Sequence, residues 1–188
     1  MFKKIFLFLR EFIKLAAIAL VIIVPVRYFL IQPFYVKGTS MEPNFHNYEY
    51  LIIDELSFRF HAPQRGEVIV FRYPRDPQEH FIKRIIGLPG EEVQIKNNHV
   101  YIYNTEHPDG FVLNETYLKT DELTAANTEN RVTVKANEYF VLGDNRQASQ
   151  DSRFFGTVNK SFITGRVWLR GLPISEAKVF TQNNLPKY

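Results

Sequence analysis

The chain has no cysteine among its 188 residues. That absence excludes disulfide staples, thiolate catalysis and cysteine-built zinc or iron–sulfur sites. Any chemistry must use hydroxyl, amine, carboxylate or imidazole groups. Charge of one sign is also scarce. The 23 Lys and Arg against 20 Asp and Glu leave a formal net charge of +3, scattered along the chain. That is too little for a nucleic-acid-binding face, so no nucleic acid is expected as a partner. No internal repeat, low-complexity tract or metal-ligand spacing is present, and no metal or cofactor is expected. What is plentiful is apolar surface: 45% hydrophobic and 15% aromatic residues, enough for a packed core and contrary to wholesale disorder.

Lys3, Lys4, Arg10 and Lys14 stand against a single acid, Glu11, in residues 1–14, and from Leu15 to Ile31 the chain is apolar apart from Arg27 and Tyr28. Those 17 residues give roughly 26 Å of helix at about 1.5 Å each, the short end of a membrane crossing. Pro25 would kink this helix, and Arg27 lies near enough to its end to reach the interface. A buried helix of a soluble protein and a cleaved signal peptide are the alternatives. The second needs small residues soon after the apolar core, and Val24 to Pro33 supplies none. The expectation is a cytoplasmic basic N-terminus (1–14), a transmembrane anchor (15–32) and an extracytoplasmic domain (33–188) at the plasma membrane, with membrane lipid as a partner. Phe34 and Tyr35 fall at the depth of an interfacial aromatic belt.

Beyond the anchor the pattern is one of short strands. Tyr48–Asp54, Glu67–Tyr73, His80–Ile86, Val93–Ile95, His99–Tyr103, Val132–Val134, Tyr139–Leu142 and Phe162–Leu169 are β-branched or aromatic runs punctuated by Pro, Gly and Asn. Asn97-Asn98 reads as a hairpin turn with positive φ, and residues 119–131 as an exposed loop. The expected fold is mainly β: a single N-terminal transmembrane helix, then an antiparallel β domain.

Four segments carry candidate chemistry. Gly38-Thr39-Ser40-Met41-Glu42-Pro43 places a serine in a turn about 30 Å of extended chain or less beyond the apolar run. Arg65 to Phe71 is a strand entered through Gly66. In Phe81 to Glu91, alternation puts Phe81, Lys83 and Ile85 on one face. A lysine between apolar neighbours is where desolvation lowers an ammonium pKa. Ile82, Arg84 and Ile86 form an equally apolar opposite face, so the pattern leaves open which cation points inward. Arginine cannot be deprotonated, so only Lys83 can serve as a base. The fourth segment, Gly143 to Gly156, holds Asp144/Arg146 and Asp151/Arg153 as acid–base pairs at i, i+2, as if one loop were braced by buried ion pairs. Of five histidines, His46 is nearest in sequence to Ser40, six residues away, and makes a weak competing base. Ser175-Glu-Ala-Lys178 matches S-x-x-K, but in the C-terminal tail and at chance frequency.

GTSMEP, RGEVIVF, KRIIGLPGE and GDNRQASQDSRFFG, in this order behind an apolar N-terminal helix, resemble the boxes of type I signal peptidases, over most of residues 12–170. These are membrane-bound Ser/Lys endopeptidases that remove signal peptides from exported preproteins. The resemblance implies Ser40 as nucleophile and Lys83 as general base, with no cofactor. It implies the Ser40 backbone N–H as oxyanion donor. It further implies a Ser149 hydroxyl that orients the lysine amine, and an ion pair of Asp151 with Arg153 that braces the site, with Asp144 and Arg146 in the same box. Relatives with a hydroxyl residue two positions before the nucleophile use it as a second donor, and here that position is Gly38. Met41 is expected to pack near the anchor side of the site, and Gly143 to keep its floor open. Cleavage at Ala-x-Ala-type sites and a small β subdomain inserted at about 92–142 are further implications. A membrane-tethered binding module, or an inactive relative, is the reading from another class. The self-cleaving repressor peptidases share the dyad but lack an anchor and carry a DNA-binding half. A sortase needs the missing cysteine.

Overall fold

The structure, a computed structural model, describes residues 2–29, 31–119, 123–125, 130–181 and 185–186. Its first element is a helix, α1 (Phe2–Phe29). Among the described residues no helix is long and apolar enough to cross a membrane. Lys4, Arg10, Glu11 and Lys14 interrupt the apolar character of α1 in its first half, and the transmembrane helix expected over 15–32 is not supported as a span. The side chains of Pro25 and Arg27, on which a kink and an interfacial arginine were expected, lie outside the described residues. Phe6, Phe8, Leu15 and Val21 on α1 are all exposed.

The rest of the chain is antiparallel β. The strands are β1 (Ile31–Tyr35), β2 (Tyr50–Asp54), β3 (Val68–Tyr73), β4 (Asp76–Gly87), β5 (Glu92–Lys96) and β6 (His99–Tyr103). Then follow β7 (Phe111–Val112), β8 (Val132–Thr133), β9 (Glu138–Leu142), β10 (Val158–Asn159), β11 (Ile163–Leu172) and β12 (Lys178–Val179). Two one-turn helices, α2 (Ser57–Phe60) and α3 (Ser152–Phe155), sit between strands. The large sheet runs β1-β2-β11-β3-β4-β9-β10, with β12 beside β11, and a smaller sheet runs β7-β6-β5-β8.

Each of the eight runs expected as strands overlaps one, and β1, β7, β10 and β12 are additional. Phe34 and Tyr35 are in β1, in register with Leu51 and Tyr50 of β2. This strand was not expected because Gln32 and Pro33 break the apolar pattern; proline is tolerated at a sheet edge, where β1 lies. Asn97 and Asn98 do carry positive φ, 50° and 62°, and close the β5–β6 hairpin with Lys96 opposite His99. The loop expected to be exposed over 119–131 falls partly outside the described residues. Within them Thr124 is buried, because its hydroxyl accepts a hydrogen bond from Arg146.

Three apolar clusters fill the interior. Met41, Phe45, Leu51, Ile53 and Val70 lie beneath the turn that carries Ser40, while Ile69, Phe71, Ile85 and Val141 fill the opposite face of the large sheet. Val93, Ile95, Val100 and Ile102 of the small sheet join Ile86, Phe140 and Leu142 in the third. The two sheets meet at Gly87, where a Cβ would stand 2.5 Å from Val93 Cγ2. β4 is thus covered on both faces, which buries Lys83 and Arg84 alike.

Candidate active site

Ser40 sits in a compact turn between β1 and β2. Glu42 N donates to Thr39 O at 3.1 Å, and Phe45 N donates to Met41 O at 2.9 Å. Gly38 starts the turn at φ +99°, a conformation that costs a residue without Cβ least. Met41 is buried in the cluster below, so the turn is pegged to the core one residue past the serine.

Lys83 comes from the middle of β4, paired with Ile69 of β3. Its Nζ lies 2.8 Å from Ser40 Oγ and 2.9 Å from Ile82 O, and 5.2 Å from the centre of the Phe81 ring. Burial penalises the ammonium and lowers its pKa to about 8, against the opposing pull of the Asp151 and Asp144 carboxylates. A substantial neutral fraction near pH 8 makes this amine a competent proton acceptor for the hydroxyl it touches.

Two cations leave β4 in opposite directions. Lys83 goes to Ser40, whereas Arg84 forks onto Asp144 through Nε–Oδ1 at 2.8 Å and Nη2–Oδ2 at 2.6 Å, and donates to Gly66 O at 2.8 Å. The expected pair of Asp144 with Arg146 is therefore not formed. Residues 143–149 run as bends rather than as a strand, so side chains two apart do not share a side. Arg146 instead pairs with Glu115, including Nη1–Oε2 at 2.9 Å. The pair of Asp151 with Arg153 is present, through Nε–Oδ1 and Nη2–Oδ2, both at 2.8 Å. Asp151 also accepts from Gly143 N at 3.0 Å.

Gly143 is a point of close approach. A Cβ there would lie 2.1 Å from Ser149 Oγ and 2.5 Å from Ser40 O. Ser149 is buried, but its hydroxyl has no hydrogen-bond partner among the described residues, so the contact expected with the lysine amine is not made. Asn44 and Asn145 were not singled out from the sequence. Asn44 Nδ2 donates to Asp144 Oδ2 and Tyr117 O, both at 2.9 Å, and Asn145 bonds the main chain on either side of Ser40. Their partners are up to about a hundred residues away, and no local pattern marks them.

The dyad opens into a cleft of about 700 Å³ between the chain at 34–40 and that at 79–83, floored by Leu51 and Val70. Both walls are extended, so the space suits a peptide in extended form. His80 lies in the cleft against Phe34, ring centroids 5.4 Å apart. His46 does not approach the dyad as a base: it stands with Glu42, Glu49 and Glu176. The last three-residue cluster, His46, Glu49 and Glu176, brings ligand atoms within 4.8 Å of one another. Arg170 already lies among them, 2.7 Å from Glu49 Oε1 and 3.5 Å from Glu176 Oε2, and supplies the positive charge the carboxylates call for.

A buried lysine amine on a serine hydroxyl, at the end of a peptide-sized cleft in an antiparallel β fold, is an arrangement that Ser/Lys peptidases use. The chain belongs to the signal peptidase family, peptidase S26, whose model matches residues 9–171. It is 34% identical to signal peptidase IB of Staphylococcus aureus (strain N315) over 181 residues, 90% of this chain and 93% of that one. It is also 34% identical to a probable signal peptidase I-2 of Synechocystis sp., over 90% of this chain and 76% of that one. A crystal structure of a signal peptidase I from Enterococcus faecalis V583 matches with a TM-score of 0.46 and 34% identity, covering 57% of this chain and 97% of that one. The chain is thus a peptidase that removes signal peptides, and preproteins bearing them are its substrates.

Proposed function

We propose that Ser40 is the nucleophile and Lys83 the general base. The neutral amine takes the Ser40 proton as Oγ attacks the carbonyl carbon at the scissile bond. The resulting ammonium then gives that proton to the leaving amine. Water, activated by the same lysine, hydrolyses the acyl-enzyme. The Ser40 N–H faces the developing oxyanion. The Asp151–Arg153 and Arg84–Asp144 pairs hold the loop that backs the dyad, and Ser149 and Gly143 shape its floor. The preprotein lies extended in the cleft, with small residues at −1 and −3 as in Ala-x-Ala sites. The observation that carries this reading is the 2.8 Å approach of a desolvated Lys83 amine to Ser40 Oγ.

In this reading α1 is a membrane anchor, residues 1–14 are cytoplasmic, 33–188 are extracytoplasmic at the plasma membrane, and the small sheet of β5 to β8 forms a subdomain inserted at about 92–142. Support for the anchor comes from the exposed apolar side chains of α1 behind a basic flank. The test is cleavage of an Ala-x-Ala preprotein in detergent micelles by wild type and Ser40→Ala, with the new N-terminus read by mass spectrometry. Cutting after the −1 alanine by wild type alone is expected. A folded wild type that binds the preprotein without cutting it would point to a tethered binding module instead.

A further inference from the structure

Asn145 contacts the nucleophile turn twice and has no part in the proton transfers above. Its main-chain N–H donates to Ser40 O at 3.0 Å, and its side-chain Nδ2 donates to Thr39 O at 3.1 Å. The orientation of this amide is determined by its two ends, since Oδ1 accepts from Ala148 N at 3.2 Å while a carbonyl can only accept.

Thr39 O and the Ser40 N–H belong to one peptide group. That group is planar and trans, so its two ends point in opposite directions; the cis bonds of this chain lie elsewhere. Holding the carbonyl toward Asn145 turns the N–H away from the 143–149 loop. That N–H donates to no protein group among the described residues, and Thr39 and Ser40 both line the cleft. From this geometry we infer that Asn145 is a positioning residue for the oxyanion, aiming the Ser40 N–H by fixing the peptide plane on which it sits.

The need for such a clamp follows from Gly38. It sits two residues before the nucleophile at φ +99°, with open space where a side chain would be. It brings no hydroxyl as a second donor, and its backbone swivels more freely than any other residue's. Stabilisation of the oxyanion then depends on the aim of main-chain N–H groups. Asn145 is well placed to supply that aim, because the preceding residue, Asp144, is held by two hydrogen bonds from Arg84 and one from Asn44. The inference rests on the nucleophile reading of Ser40 given above.

The test compares wild type with Asn145→Asp and Asn145→Ala. The aspartate keeps the acceptor for Ala148 N–H and the main-chain bond to Ser40 O, but presents a carboxylate oxygen to Thr39 O where a donor stood. The alanine removes the donor without adding charge. Loss of a whole oxyanion donor costs about 10²–10³ in rate, so a mis-aimed one is expected to lower kcat by about 10- to 100-fold with KM little changed. A peptide boronic acid ending in alanine provides a second readout. Ser40 Oγ adds to boron, its proton passes to Lys83, and a boron-bound oxygen takes the oxyanion's place. Affinity for this adduct is expected to fall by the same factor as kcat, while affinity for an uncleavable preprotein with proline at +1 stays as in wild type. A kcat within about threefold of wild type in both variants would overturn the inference. So would equal losses of affinity for the boronic acid and the proline preprotein, which indicate a collapsed cleft. Ser40→Ala serves as the control: if it cleaves like wild type, the nucleophile assignment fails first and Asn145 loses its role with it.

Discussion

Arg84 and Asp144 are joined by two hydrogen bonds, of 2.8 and 2.6 Å, in the interior of the protein. One partner follows Lys83 on β4, and the other lies between Gly143 and Asn145. The pair therefore locks the strand that carries the amine to the loop that backs the serine. Removing one partner leaves a buried charge without compensation, which costs about 3–5 kcal/mol, whereas replacing both by apolar groups is nearly neutral. Asp144→Ala is expected to lower the denaturation midpoint strongly, and Arg84→Met with Asp144→Leu to recover most of the loss. Urea unfolding of the three proteins measures this.

The pH dependence of cleavage follows from the Lys83 amine. Only its neutral form accepts a proton, and its pKa is about 8, so kcat/KM is expected to rise with pH through about 8 and level off above it. The Asp151 carboxylate opposes the lowering. Asp151→Asn is accordingly expected to move the rising limb to lower pH, while reducing the plateau because Arg153 loses its partner. Lys83→Arg is expected to be inactive at every pH, since a guanidinium does not deprotonate. A pH–rate profile for each variant decides.

The same amine makes the site unstable at neutral pH. The folded pKa, about 8, lies below the unfolded 10.5, so the unfolded chain binds more protons between these values and stability rises with pH across that window. Below pH 8 the full penalty is present, about 3 kcal/mol at 1.36 kcal/mol per unit. Lys83→Met is expected to be inactive yet more stable than wild type at pH 7, with the advantage vanishing toward pH 10.5. Thermal or denaturant unfolding at pH 7 and pH 10 measures the difference.

Gly143→Ala is expected to lower activity by 100-fold or more (about 10²) with the fold kept, because the added methyl meets both Ser149 Oγ and Ser40 O and interiors packed this closely yield little. Gly143→Ala with Ser149→Gly is expected to stay impaired: the clash at 2.5 Å with Ser40 O involves backbone. Preprotein cleavage and circular dichroism of both variants test this.

Much of the fold was legible because strands announce themselves locally. Runs such as Val68–Tyr73 and His99–Tyr103 alternate or fill with β-branched and aromatic residues, and Asn97-Asn98 needs nothing beyond its own residues to adopt positive φ. β1 was hidden, since Gln32 and Pro33 break the pattern of a strand and only pairing with β2 makes residues 31–35 one. The end of the helix was placed too late, at residue 32, because the apolar run reaches Ile31, where β1 has already begun.

The chemistry of the site was set by residue type. The lack of cysteine excluded thiolate chemistry, a serine in a turn and a lysine between apolar neighbours offered a hydroxyl and an amine, and the ordered segments pointed to the family. What only the tertiary structure decided was direction and partnership. Both faces of β4 are apolar, so alternation left Lys83 and Arg84 equivalent until packing on each side sent one to Ser40 and the other to Asp144. Asp144 was read as the partner of Arg146 because they are close in sequence, but a bent loop turns their side chains apart and a cation 60 residues away takes the carboxylate. Asn145 lies in the fourth segment, but nothing local marked it, since which main-chain carbonyl its side-chain amide reaches depends on where the backbone goes.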